Sequence, residues 1–315
     1  SPTSRTSPTS SAAASSGMPT PNASRIATRR TSCYTTTIVT DINSGKAVSM
    51  QQVAFRRGMS ICLVLVSLPC FARHLKVSYE RDISYGESPW CKLDLKFPQG
   101  LTNFSTVVWF HGGGLTGGSR SFIRIDDSIA QVAADYRLLG KDGLVDGKVC
   151  IDDAAAAVSW TLENIGRYGG DTGRIFVSGM SAGGYLTMMV GMDSRYLKAR
   201  GHDISELAGM APVSGQATKH FNVRKFAGDK DPQYLPKIDE LAPLAYCSKS
   251  IPPIVAICGE APWEWKCRSE ENRLLIASCA ALGHQKAWFV SCPYADHDRA
   301  YDAGIPYVEL FVKGQ

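Results

Sequence analysis

The chain has 315 residues, 44% of them hydrophobic and 20% charged, with a formal net charge of +5. The charge is unevenly placed: residues 1–73 hold eight Arg or Lys against the single acid Asp41, while the remainder has 26 basic and 28 acidic residues. A near-neutral body of that size excludes an electrostatic nucleic-acid footprint and is long enough to bury one large core.

The first 40 residues include 19 Ser or Thr and no acid. Such a stretch has too little apolar surface to drive folding, so residues 1–49 read as a disordered leader or as sequence upstream of the working protein. Arg56 and Arg57 then precede the apolar run Ile61-Cys-Leu-Val-Leu-Val-Ser-Leu-Pro-Cys70-Phe-Ala72. A positive flank, a short apolar core and a small closing residue predict a secretory signal peptide over 50–72, with Met50 or Met59 as the native start. The protein is then expected to be secreted or periplasmic, or cytoplasmic if that segment is not processed. The run is too short to span a bilayer, so no membrane association beyond export is expected.

From residue 74 to the C-terminus the pattern reads as one domain. Residues 76–84 and 90–97 alternate polar and apolar, as a half-solvated strand pair does. Thr106-Val-Val-Trp-Phe110 is a continuous apolar run suited to a strand buried on both faces. Residues 129–136 predict the next strand. Asp152 and Asp153 are expected to cap an Ala-rich helix that runs to about residue 167 and ends at Gly169-Gly170. Residues 174–178 predict a strand and 182–192 a helix. Further strands are expected at 207–213, 254–258 and 287–291, with a helix over 270–282 between the last two. Alternation of this kind predicts an α/β fold: a mostly parallel, doubly wound sheet flanked by helices.

Two motifs carry chemistry. Gly179-Met-Ser181-Ala-Gly183 lies between a predicted strand and a predicted helix. Its glycines suit a tight turn where side chains would clash, and Ser181 would project above the sheet as a nucleophile at a helix N-terminus. His111-Gly-Gly-Gly114 follows the strand at 106–110. Glycine lets main-chain N–H groups approach a developing oxyanion, so Gly113, Gly114 and Ala182 are the candidate donors. His111 is expected to brace that loop. The base should come late in the chain, and His297, in a polar loop after the last strand, fits. His284, at a helix end, reads as a surface or capping residue. The acid should follow the strand at 254–258, in a stretch with no Asp. Glu264 is preferred and Glu260 is the alternative, with Glu270 and Glu271 read as first-turn helix residues.

The segments 107–118, 135–138, 152–160, 168–171, 178–185 and 270–272 together resemble the α/β-hydrolase esterases of the hormone-sensitive-lipase and acetyl-esterase kind, especially exported bacterial carboxylesterases. The resemblance runs from about Val77 to the C-terminus. It implies an α/β-hydrolase fold, Ser181 as nucleophile, His297 as base, Glu264 as acid, and Gly113, Gly114 and Ala182 as oxyanion donors. The chain departs from its relatives by placing Ala261-Pro262 inside the acid loop and Asp298 where glycine usually follows the histidine.

About 37 residues lie between the expected cleavage point and His111, leaving residues 213–252 as the candidate lid. A small lid favours short acyl groups, such as acetyl, on carbohydrate or aryl alcohols. His220 and Trp263 are candidate substrate contacts, and Trp265 could stack a sugar or an aromatic ring. Amide hydrolysis of the kynurenine-formamidase type is the alternative, and a non-catalytic binding protein on the same scaffold a third reading. No cofactor and no metal are expected, since no cysteine or histidine shows metal-ligand spacing. A small-molecule ester is the expected partner. Of ten cysteines, three precede residue 74; a disulfide among Cys247, Cys267 and Cys279 would suit an exported protein.

Overall fold

The computed structural model describes residues 75–315, together with the backbone of two short strands, β1 (Ile38–Asp41) and β2 (Lys46–Ser49). The expected signal peptide at 50–72 lies outside the described residues, as does the rest of the expected leader. Within that leader β1 and β2 are strands, and β1 pairs antiparallel with the edge of the main sheet through Val39 and Thr40.

The sheet is built from β3 (Val77–Ser84), β4 (Lys92–Pro98), β5 (Phe104–Phe110), β6 (Ala130–Ala134), β7 (Gly170–Met180), β8 (Gly209–Val213), β9 (Ile254–Gly259) and β10 (Ala287–Cys292). With β1 and β2 its order is β2-β1-β10-β9-β8-β7-β5-β6-β4-β3. The six strands β6, β5, β7, β8, β9 and β10 run parallel, and the antiparallel pairs β3–β4 and β4–β6 close one side.

Side-chain alternation explains why the central strands read as unbroken apolar runs. In β5, Val107 and Trp109 enter one cluster with Val308 and Phe311, while Val108 and Phe110 enter another with Ala154, Val158 and Leu186. Both faces are therefore covered, and each strand residue meets a core. On one face lie α1 (Lys148–Asn164), α2 (Ala182–Met192) and α5 (Arg268–Ala281); on the other lies α6 (Arg299–Gly314). Two shorter helices, α3 (Ser194–Lys198) and α4 (Phe221–Phe226), sit in connections.

One expectation changes here. Helix α1 starts at Lys148, so Asp152 and Asp153 lie inside it and do not cap it. Asp153 is instead buried and accepts from the Arg137 backbone N–H and from Nε and Nη2 of its guanidinium, at 2.6–2.9 Å, pinning the chain after β6. Buried carboxylates need such partners. Helix α6, for which the sequence analysis has no element, holds Gly304 and Pro306 in its interior. Burial of Ile305, Val308, Phe311 and Val312 along one face outweighs the missing N–H at Pro306.

Candidate active site

The parallel strands carry their C-terminal ends to one edge, and Ser181, His297 and Glu264 meet there. Ser181 follows β7 directly and leads into α2, with φ 55° and ψ −110°. This is an uncommon backbone state for a residue with a side chain. The turn is held by the Ser181 N–H, which donates to the Val213 carbonyl at 2.8 Å, and by the Tyr185 N–H, which donates to the Ser181 carbonyl at 3.0 Å.

The flanking glycines are demanded by space. A Cβ at Gly183 would lie 2.0 Å from the Phe110 carbonyl oxygen, and one at Gly179 would lie 2.6 Å from the Gly183 carbonyl carbon. These are backbone atoms that cannot rotate away. Gly183→Ala is therefore expected to cost more than about 3 kcal/mol, enough to leave most of the protein insoluble or unfolded, as checked by urea denaturation of any soluble fraction.

His297 sits in the loop between β10 and α6. Its ring bridges two partners: Ser181 Oγ lies 2.9 Å from Nε2, and Glu264 Oε1 lies 2.7 Å from Nδ1. A carboxylate on the Nδ1 side assigns the proton there, leaving Nε2 to accept from the Ser181 hydroxyl. Glu264 is buried, and three more donors reach it: the Ser214 hydroxyl and the Gly259 N–H on Oε2, and the Trp265 N–H on Oε1. Burial opposes its ionisation, but hydrogen bonds from His297 and Ser214, the His297 charge and the Trp265 amide outweigh it and hold the carboxyl below its ordinary range.

Glu260, the alternative acid, faces elsewhere. Its carboxylate accepts from the Tyr294 N–H at 2.7 Å and its own N–H donates to the Ala295 carbonyl, lacing the acid loop to the histidine loop.

The His111–Gly114 loop lies against the serine: a Cβ at Gly112 would stand 3.6 Å from Ser181 Cβ. Gly113 and Gly114 have φ of 108° and 63°, which glycine adopts freely. His111 is buried and stacked on Tyr136 at 4.4 Å, and the Tyr136 hydroxyl donates to the His111 carbonyl at 2.9 Å. Desolvation pulls the His111 pKa down, so its neutral ring braces the loop. From α4, the Asn222 side-chain amide donates to the Gly114 carbonyl at 2.7 Å, fixing the following peptide.

His220 does not line a pocket as expected. It is fully buried, stacked on Phe221 at 4.5 Å, and accepts the Asn222 N–H as the cap of α4. Its ring fits among aromatics, and desolvation keeps it neutral. His284, expected at the surface or as a cap, is also buried, with Nε2 at the Ile251 carbonyl. Trp263 is half exposed and faces Tyr294 across 5.9 Å. Trp265 turns inward, meeting His297 edge-on at 5.3 Å and packing against Phe221 and Tyr234 of the 213–252 segment. A cleft of about 790 Å³ opens beside the imidazole, lined by Trp263, Trp265, Lys266, Asp296 and Asp298. It reaches His297; Ser181 is not on its wall. Ser214 and Asn222 had no signal in the sequence, since each acts through a contact between distant segments. Among the described residues no group of three or more His, Cys, Asp or Glu is arranged to hold a metal ion.

Comparison with known proteins gives a consistent picture. The BD-FAE family model matches residues 93–263. The chain is 30% identical over 159 residues to a probable isoprenylcysteine alpha-carbonyl methylesterase of Arabidopsis thaliana, covering 46% of this chain and 36% of that protein. It is 35% identical over 103 residues to a carboxylesterase of Mycobacterium tuberculosis, covering 30% of each. The chain spans about a third of the length of the curated relatives it matches. A truncated carbohydrate esterase from gut microbiota shares the fold with a TM-score of 0.60, at 17% identity over 75% of this chain and 95% of that one.

Proposed function

The chain belongs to the BD-FAE family and has the α/β-hydrolase fold, and from that premise we propose that it is a serine carboxylesterase working through an acyl-enzyme on Ser181. The observation that carries the reading is the continuous relay from the Ser181 hydroxyl through His297 to the buried Glu264 carboxylate. Ser181 Oγ attacks the ester carbonyl while its proton passes to His297 Nε2. Glu264 holds the ring in that tautomer and stabilises the imidazolium. The N–H groups of Gly113, Gly114 and Ala182 stabilise the oxyanion, and α2 adds its positive end. His297 then protonates the departing alcohol, and water releases the acid by the reverse sequence.

The substrates proposed are esters of short, acetyl-like acids with carbohydrate or aryl alcohols. Support comes from the cleft beside His297, where Trp263 offers an exposed ring face among polar side chains. On the side away from the cleft, Phe221 and Tyr234 of the 213–252 segment pack against Trp265. With p-nitrophenyl esters of rising acyl length, kcat/KM is expected to peak at acetyl to butyryl and fall beyond. An organophosphate is expected to add to Ser181 and abolish turnover. Faster cleavage of formyl amides than of acetyl esters would replace this reading with an amidase, and a protein that neither labels nor hydrolyses would refute it.

A further inference from the structure

The 213–252 segment is anchored to one helix at both ends, by different chemistry. At its entry, the Glu271 carboxylate of α5 accepts the Ala217 and Thr218 backbone N–H groups and the Thr218 hydroxyl, and Asn272 donates to the Gly215 carbonyl at 2.7 Å. Glu271 is in the first turn of α5 as expected and is buried there; burial pushes its pKa up. At the exit stands Cys247, two turns further along the same helix. Its Sγ donates to the Leu275 carbonyl across 3.7 Å. Leu275 and Cys279 are four apart on α5 and so share a face. In the helix the Cys279 N–H points to that same carbonyl, and Cys247 packs against the cluster that holds Cys279, so the two thiols are neighbours. A thiol seated there beside the Cys279 turn of α5 makes the pair a candidate for a disulfide.

The two thiols differ in access. Cys279 is buried, whereas Cys247 is half-buried and opens on a separate recess of about 540 Å³ bordered by Met192, Arg195, Lys198, Tyr246 and Ser248. The cations there are paired, Arg195 with Asp193 and Lys198 with Asp203, so the recess is not strongly charged. Hydrogen bonding from Cys279 holds the Cys247 thiol below its ordinary pKa, and the same contact pushes Cys279 up. The half-buried Cys247 is the thiol a small disulfide can reach, and the buried Cys279 is left to resolve the adduct. Cys267, the exposed thiol at the start of α5, lies about 18 Å from Cys279 along the helix and cannot reach it.

We propose that Cys247 and Cys279 form a redox-active dithiol, Cys247 attacking and Cys279 resolving, that locks the exit of the 213–252 segment to α5 when a low-molecular-weight disulfide is present. With oxidised glutathione, the Cys247 sulfur attacks one glutathione sulfur, forming a mixed disulfide. The first glutathione thiol departs with the proton given up by Cys247. Cys279 then attacks the Cys247 sulfur, forming the protein disulfide, and its proton leaves on the second glutathione. Two protein thiols are oxidised and one disulfide is reduced to two thiols.

The test uses the full chain, reduced and then treated with oxidised glutathione, with intact mass, peptide mapping and limited proteolysis as readouts. Wild type is expected to lose two hydrogens and yield a Cys247–Cys279 cross-linked peptide without retained glutathione. Its thermal midpoint should rise by about 5 °C, and cleavage between residues 228 and 240 should slow several-fold. Cys279→Ser should keep a glutathione on Cys247, and Cys247→Ser should leave Cys279 unmodified. Mapping that finds Cys247 and Cys279 both free, a stable adduct on wild-type Cys247, or a bridge from either to another cysteine would overturn the proposal. None of these readouts depends on hydrolytic activity, so the two proposals fail separately.

Discussion

Ser181→Ala is expected to lower kcat for p-nitrophenyl acetate by roughly 10⁶-fold, the order of loss when the nucleophile of a serine triad is removed. A residual rate above that in water is expected, because the amides at Gly113, Gly114 and Ala182 and the cleft remain. The fold should be almost indifferent. Alanine keeps the Cβ, the φ of 55° and the N–H bond to the Val213 carbonyl, and loses one hydroxyl at a partly exposed edge. The thermal midpoint should therefore move by no more than about 2 °C. Organophosphate labelling in wild type and its loss in the variant tie the rate to the same oxygen. A variant that still turns over like wild type, while folded, would remove Ser181 from the chemistry.

The serine and histidine were legible because each depends on local pattern: a glycine-flanked turn between strand and helix, and an imidazole just past the last strand. The central strands were legible for the same kind of reason, since burial on both faces forces a continuous apolar run. The acid was harder. Glu260 and Glu264 lie in one loop of similar composition, and only the path of that loop separates them. The Glu260 amide bonds to the Ala295 carbonyl and the Glu264 amide to the Glu260 carbonyl, so a single turn carries Glu264 inward and leaves Glu260 facing Tyr294. Long-range partners were not legible at all. Ser214 reaches Glu264 across fifty positions and Asn222 reaches Gly114 across 108. His220 was a candidate substrate contact because it lies in the 213–252 segment, whereas Tyr185 and Phe221 pack against it in the interior. Helix α6 tolerates Gly304 and Pro306 because the apolar face beside them outweighs their local cost.

Glu264→Gln should lower kcat by about 10⁴-fold with little change in KM, since a positioned amide of the same shape presents the wrong groups to His297. An NH₂ facing Nδ1 drives the proton to Nε2, where it can no longer accept from Ser181. Glutamine also offers one acceptor oxygen where the carboxylate serves four donors, from His297, Ser214, Gly259 and Trp265. Unfolding stability near pH 7 should therefore drop by roughly 1–3 kcal/mol. The sign of the pH dependence follows from the depressed pKa of Glu264. A carboxyl whose folded pKa lies below its unfolded one stabilises fully above the unfolded value and loses that contribution as pH falls through the folded one. The stability gap between wild type and Glu264→Gln should accordingly be widest near neutrality and shrink in acid, measured by urea titrations across that range. Glu260→Gln, which loosens only the bond to the Tyr294 amide, should keep most of the wild-type rate. Equal losses in both variants would mean that the loop as a whole, and not one carboxylate on the imidazole, sets the rate.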